Sequence, residues 1–239
     1  MEHGLGRAID REETMTVSVV FPWRPGCLWR ERSFNWVRDR YAATHPSWEV
    51  VIGESPQGLF SRSAAILDGA RRASGDVLVV ADADVWCDPA DAVERVTETG
   101  WSVPHTLIHR LSEESSDLFM GGFPLDELEL DQSNRQDRKP YRGNETGTLV
   151  VLAREVLFDV PPDPRFVGWG QEDNAWGAAL NTLVGKSVRL GADLVHLWHP
   201  PQERQTRVVG NPEGQALWRR YQKAARRPEA MRALLAEAA

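Results

Sequence analysis

The chain has 239 residues, 41% of them hydrophobic and 26% charged, with a net charge of −7. This suits one soluble α/β domain with a sizeable core and gives the molecule no overall electrostatic pull toward nucleic acid or anionic membrane. The two cysteines form no Cys-x-x-Cys, the N-terminus is polar, and no apolar run reaches membrane-spanning length; zinc-ribbon, secreted and membrane-anchored classes are therefore not expected, and a reducing cytoplasm is.

Residues 1–15 read as a flexible lead. Val17–Phe21 is a β-branched run closed by Pro22, hence a buried strand. Phe34, Trp36, Val37 and Tyr41 recur at helical spacing over 28–41, and Trp48–Ile52 forms a second strand stopped by Gly53. A second helix runs from about Ser61 to a cap at Ser74-Gly75. Val77–Ala81 is a continuous apolar strand of the kind buried in parallel sheets, and Asp88-Pro89 opens a third helix. The alternation predicts parallel strands with right-handed crossovers, and ligands in such sheets bind beyond the strands' carboxyl ends, where Arg24, Glu54 and Asp82 fall.

The second half is less regular. Residues 112–145 are rich in Asp, Glu, Ser, Asn and Arg and read as a long, partly mobile insertion. Thr148–Leu152 is a strand, Glu172–Leu183 a helix, and Ser187–Leu190 with Asp193–Leu197 supply the last strands. The segment Glu213–Ala238 is helical, broken near Pro228.

Three groups of residues carry chemistry. Asp82-Ala83-Asp84 follows a buried strand, and i and i+2 of an extended segment point to one side. One Asp-x-Asp is expected by chance in this chain, but adjacent carboxylates repel, and in this position the pair suits one hard divalent cation. Phe166-Val-Gly-Trp-Gly-Gln-Glu-Asp-Asn174 places Trp169 between glycines, as a hinged lid needs, and then two carboxylates, Glu172 and Asp173, in a first helical turn, where the dipole keeps them ionised. An ionised Asp173 near a hydroxyl is a competent general base. His196-Leu-Trp-His199 follows a strand, and a neutral imidazole could complete a metal shell begun by Asp84, with the choice between the two histidines open. Arg24 and Arg62 could clamp a diphosphate or a base edge. The ten tryptophans divide between core residues and flat platforms for sugars or bases.

In this order, Pro-x-Arg after the first strand, Phe-x-Arg opening a helix, Asp-x-Asp, Gly-Trp-Gly-x-Glu-Asp and a late His resemble the β-1,4-galactosyltransferase family and the wider family-2 glycosyltransferases, over about residues 17–200. The resemblance implies a GT-A fold: a single Rossmann-like α/β domain over 16–210 with a mainly parallel central sheet and helices on both faces. It implies a nucleotide-binding half over 16–100, an acceptor-binding half over 101–210, and a helical tail over 211–239. It implies an inverting, Mn²⁺- or Mg²⁺-dependent transfer of a hexose from a UDP-sugar to a glycan, protein or modified DNA. Pro22, Arg24, Phe60 and Arg62 match nucleotide contacts, Asp82 and Trp169 the donor side, and Gly147 a glycine near a strand start. Asp84 and His196 match metal ligands, with His199 a second candidate; Glu172 matches an acceptor contact and Asp173 the base. The lack of an anchor, stem or cysteine pattern suits a bacterial or phage enzyme. A sugar-nucleotide nucleotidyltransferase is the first rival, although Pro22-Trp-Arg-Pro lacks the glycine-rich loop expected there. A non-catalytic sugar- or nucleotide-binding module is the second. The basic cluster Arg219, Arg220, Lys223, Arg226 and Arg227 reads as a solvated helix face.

Overall fold

A computed structural model describes residues 15–128, 135–136, 145–168, 170–201 and 212–238. The strands are β1 (Val17–Trp23), β2 (Glu49–Glu54), β3 (Val77–Ala81), β4 (Val85–Trp86), β5 (Trp101–Arg110), β6 (Arg135–Gln136), β7 (Leu149–Ala153) and β8 (Val188–His196). The helices are α1 (Leu28–Thr44), α2 (Arg62–Arg72), α3 (Ala90–Thr99), α4 (Glu113–Met120), α5 (Arg154–Asp159), α6 (Glu172–Leu183), α7 (Pro212–Ala224) and α8 (Pro228–Ala236). They build one sheet in the order β2-β1-β3-β7-β5-β8-β4, with β6 on β5. β1, β2 and β3 are parallel, β7 runs against both β3 and β5, β8 runs with β5, and β4 closes the edge antiparallel to β8.

Period-two alternation sorts the apolar residues onto two faces. Val19, Phe21, Val77, Val79, Leu149 and Val151 point into one core, covered by Phe34, Val37 and Tyr41 of α1 and Val93 and Val96 of α3. Val20, Leu78, Val80, Val150 and Leu152 point into the other, covered by Ile66 and Ala70 of α2, Trp176 and Leu180 of α6, Tyr221 of α7 and Met231 and Leu234 of α8. The C-terminal helices thus belong to the second core. Buried Asp163 ties them in: its carboxylate accepts from Tyr221 Oη at 2.8 Å and Arg165 Nη2 at 2.7 Å, and Arg165 also donates to Leu234 O at 3.0 Å.

Three local features differ from the sequence reading. The polar stretch expected as an insertion begins with a helix: Ser112 Oγ caps α4 by accepting from Ser115 N, and Trp36 Nε1 donates to Met120 O at 2.9 Å, holding α4 on α1; residues 129–134 and 137–144 of that stretch lie outside the described residues. The last strands are one, β8, running through Gly191. β5 was hidden by Pro104, which has no N–H for a ladder; its pairing with β8 shifts register on either side of His105.

Gly53 sets how closely α2 lies on the sheet. A Cβ there would stand 1.9 Å from Ala65 O and 2.8 Å from its carbonyl carbon, backbone atoms that cannot step aside. Gly53→Ala should therefore lower the unfolding free energy by about 3 kcal/mol, at the upper end for overpacking, read as a fall in the urea midpoint; an unchanged midpoint would contradict the packing described.

Candidate active site

The carboxyl end of β3 places the first carboxylate. Asp82 N donates to Thr148 O at 2.7 Å, Thr148 N returns a bond to Asp82 Oδ2 at 3.2 Å, and Arg62 Nε donates to Asp82 Oδ1 at 2.7 Å. Thr148 makes this pairing at φ 82°, a region that β-branched residues rarely occupy and that marks local strain. Residues 82–85 form a turn between β3 and β4, closed by Val85 N donating to Asp82 O at 3.4 Å, rather than the extended segment expected from sequence, and Ala83 is buried within it. Burial raises the Asp82 pKa, Arg62 opposes that, and Asp84 adds to it.

Pairing of β4 with β8 then brings the late histidines to Asp84. Val85 faces His196 in register, and Leu197 N donates to Asp84 O at 2.8 Å. Ligand atoms of Asp84, His196 and His199 all lie within 4.8 Å of one another. Nδ1 of His196 lies 2.9 Å from Leu197 O and Nδ1 of His199 lies 2.8 Å from Pro200 O. A ring N–H on Nδ1 satisfies each contact and leaves Nε2 as the atom each ring can offer to a metal. His199 Nε2 stands 3.3 Å from Asp84 Oδ2, so one cation can contact both. Burial lowers the His196 pKa against the pull of Asp84, keeping the imidazole neutral and able to ligate. The set fits a divalent metal, and two imidazoles favour a transition ion over Mg²⁺. Both histidines reach the cluster.

The second pair of carboxylates enters from α6. Ser61 caps α2, accepting from Ala64 N at 3.2 Å while its hydroxyl donates to Phe166 O at 2.7 Å; one side chain therefore fixes Arg62 and the segment leading to α6. Gly168 N donates to Phe60 O at 2.8 Å, and Gly168, Gly170 and Gln171 all hold positive φ (77°, 114° and 73°). Glycine accepts that backbone freely and Gln171 does not. Glu172 Oε2 accepts from Gly170 N at 3.1 Å, and Thr146 Oγ1 donates to Asp173 O at 2.6 Å. Trp169 lies outside the described residues. Arg62 keeps 11% side-chain exposure and feels Asp82, Glu172 and Asp173 together; its Nη2 is buried with no partner among the described residues. Burial and then the Asp173 carboxylate push the Glu172 pKa up to about 7, with Arg62 opposing.

The remaining nucleotide-side residues fall at the same sheet end. Pro22 pairs with Gly53 across β1 and β2, and Gly147 is half-buried just before Thr148. Arg24 donates from Nη1 to Gly58 O at 2.6 Å and from Nη2 to Pro56 O at 2.7 Å, and its guanidinium lies 5.4 Å from the centre of the Phe60 ring. It orders the loop that carries Phe60, and much of its donor fork is already used. Sequence reasoning missed Thr148, whose left-handed backbone has no sequence signal, and Arg30, whose Nη2 lies 3.5 Å from both ring nitrogens of His199.

No protein-family profile and no curated protein matches the sequence. Among solved structures, a mutant of the Drosophila β-1,4-galactosyltransferase 7, in complex with manganese, UDP-Gal and xylobiose, is 14% identical, with 84% of this chain and 79% of that one covered at a TM-score of 0.50. Glucosyl-3-phosphoglycerate synthase from Mycobacterium tuberculosis, with Mn²⁺, UDP and glucosyl-3-phosphoglycerate, is 18% identical over 78% of this chain and 74% of that one, at a TM-score of 0.40. The fold is the GT-A fold, a mixed α/β sheet with helices on both faces. Among the described residues no helix is long and apolar enough to cross a membrane.

Because Glu172 has a raised pKa when folded, its neutral form is favoured in the native state, so its contribution to stability is complete below about pH 4.5 and is lost as pH rises to about 7. Glu172→Gln should therefore melt higher than wild type at pH 8, with the difference shrinking toward pH 4.5 in metal-free buffer. A difference independent of pH would contradict the shift.

Proposed function

We propose that the chain is a metal-dependent, inverting glycosyltransferase that moves a hexose (galactose, glucose or an N-acetylhexosamine) from a UDP-sugar to a hydroxyl of a glycan, a protein or modified nucleic acid. The observation that carries the reading is the Asp84–His196–His199 cluster, joined through Asp82 and Arg62 to Glu172 and Asp173 on a GT-A sheet. The manganese and UDP-sugar bound by the Drosophila structure support it. Two free cysteines suit a reducing cytoplasm, and the bacterial or phage origin rests on the departures from the Golgi members of the family.

Asp84, His196 and His199 would hold Mn²⁺, or less favourably Mg²⁺. A bound dication supplies Lewis-acid neutralisation of the charge that grows on the leaving diphosphate. Pro22, Phe60, Arg62 and Gly147 border the nucleotide, with Arg24 fixing the Phe60 loop, and Asp82 faces the donor sugar. Trp169, outside the described residues, is assigned to the donor side by the sequence resemblance alone. Glu172 accepts a hydrogen bond from an acceptor hydroxyl, and Asp173 removes the proton of the attacking one. The acceptor oxygen then bonds to the anomeric carbon as the bond to the UDP oxygen breaks on the opposite face, and UDP departs with the electron pair.

UDP release from a panel of UDP-sugars, with and without Mn²⁺, tests the assignment. One donor should be hydrolysed slowly in a metal-dependent way, and Asp84→Ala should abolish it. No release and no UDP binding under any metal would contradict the reading. With an acceptor in hand, Asp173→Asn should lower kcat by about 10²–10⁴, the usual loss for a general base, in a protein that melts normally; near-wild-type turnover would remove Asp173 from that role.

A further inference from the structure

Arg30 stands in the first turn of α1, half-buried, with Nη2 3.5 Å from both Nδ1 and Nε2 of His199. At that distance the guanidinium packs against the imidazole without a directed hydrogen bond. Its neighbours are engaged elsewhere: Glu31 accepts from Gly26 N at 2.9 Å and Arg32 pairs with Asp117 at 2.6 Å. Among the described residues no carboxylate or carbonyl accepts from Arg30. The position is unusual because the ring it touches is one of the three groups gathered for a metal, with Nε2 facing Asp84 Oδ2 at 3.3 Å.

A guanidinium against an imidazole and a dication held by the same ring repel, and partial burial screens that repulsion less than water would. An anion that touches both removes the conflict. A diphosphate has the right charge and the right acceptors: the planar guanidinium fork takes two phosphate oxygens, and a hard or borderline cation takes others. We propose that Arg30 is a diphosphate-binding residue that couples the metal to the nucleotide, weakening metal binding to the free protein and strengthening it once the nucleoside diphosphate is present. This rests on the metal site read above. By linkage, the same residue makes UDP binding depend on the metal by an equal factor. The order of events follows: metal and donor are retained together, and the site releases the metal more readily after UDP leaves.

Mn²⁺ affinity, followed by the electron paramagnetic resonance signal of free Mn²⁺ with and without UDP, tests this independently of turnover. Wild type should bind Mn²⁺ weakly alone and more tightly with UDP. Arg30→Met should bind Mn²⁺ alone at least as tightly as wild type, while the gain from UDP shrinks about tenfold, an ordinary size for a two-site coupling. Arg30→Lys keeps the charge without the fork, so its gain should fall between the two, and it carries the test if the Met variant does not fold. An undiminished UDP gain in the folded variant overturns the proposal. Asp84→Ala separates the two layers of the argument. Wild type without Mn²⁺ binding under either condition, or Asp84→Ala binding like wild type, would sink the metal site itself and the proposal with it.

Discussion

The guanidinium of Arg62 is the cation around which the acidic side of the cleft is assembled. It enters from the first turn of α2, bonds Asp82 at 2.7 Å, and lies in the field of Glu172 and Asp173, with 11% of its side chain exposed. Asp82, Asp84, Glu172 and Asp173 could not gather at one end of a sheet in low dielectric without such a partner. Burial alone would lower the pKa of Arg62, and its acidic neighbours more than restore it. The elements that converge here are thereby interdependent: Ser61 sets where α2 starts, Phe166 is tied to Ser61, and Asp82 is braced by Thr148. Among the described residues its buried Nη2 has no hydrogen-bond partner, which leaves that donor available.

Around that centre the cleft divides its work. On the β4–β8 side, Asp84, His196 and His199 are gathered within 4.8 Å of one another, with Nδ1 of each ring on a backbone carbonyl. On the α6 side, carboxylates sit at a helix N-terminus reached through positive-φ backbone. Strained residues flank both sides, Thr148 beside Asp82 and Gln171 before Glu172, and strain of this kind persists only where the surroundings over-determine the conformation. The fixed network of Asp163, Arg165 and Tyr221 supplies that rigidity below the α6 side, which gives the C-terminal helices a share in shaping the cleft.

The elements legible in the sequence are those with strong local signals. Val77–Ala81 is buried on both faces and reads as an unbroken apolar run, Ser61 is a capping residue ahead of a periodic helix, and the carboxylates of Asp82 and Glu172 follow buried or glycine-marked segments. β5 was not legible because Pro104 interrupts its pattern, and only tertiary pairing with β7 and β8 makes it a strand. α4 sits in a polar stretch and owes its place to contacts with α1 such as Trp36 with Met120 O. The roles of individual arginines were the least legible. Arg24, expected at a nucleotide contact, closes on carbonyls of the loop between β2 and α2, whereas Arg30, unremarkable in sequence, meets a histidine 169 residues away.

The proposed function depends on Asp84, His196 and His199 holding one metal ion. Anomalous diffraction from crystals grown with Mn²⁺ and UDP tests it most directly. A single Mn²⁺ peak bonded to the Asp84 carboxylate and to Nε2 of both histidines, with UDP on its open side, is the predicted result. Manganese bound elsewhere, or UDP seated with these three side chains unliganded, would contradict the account.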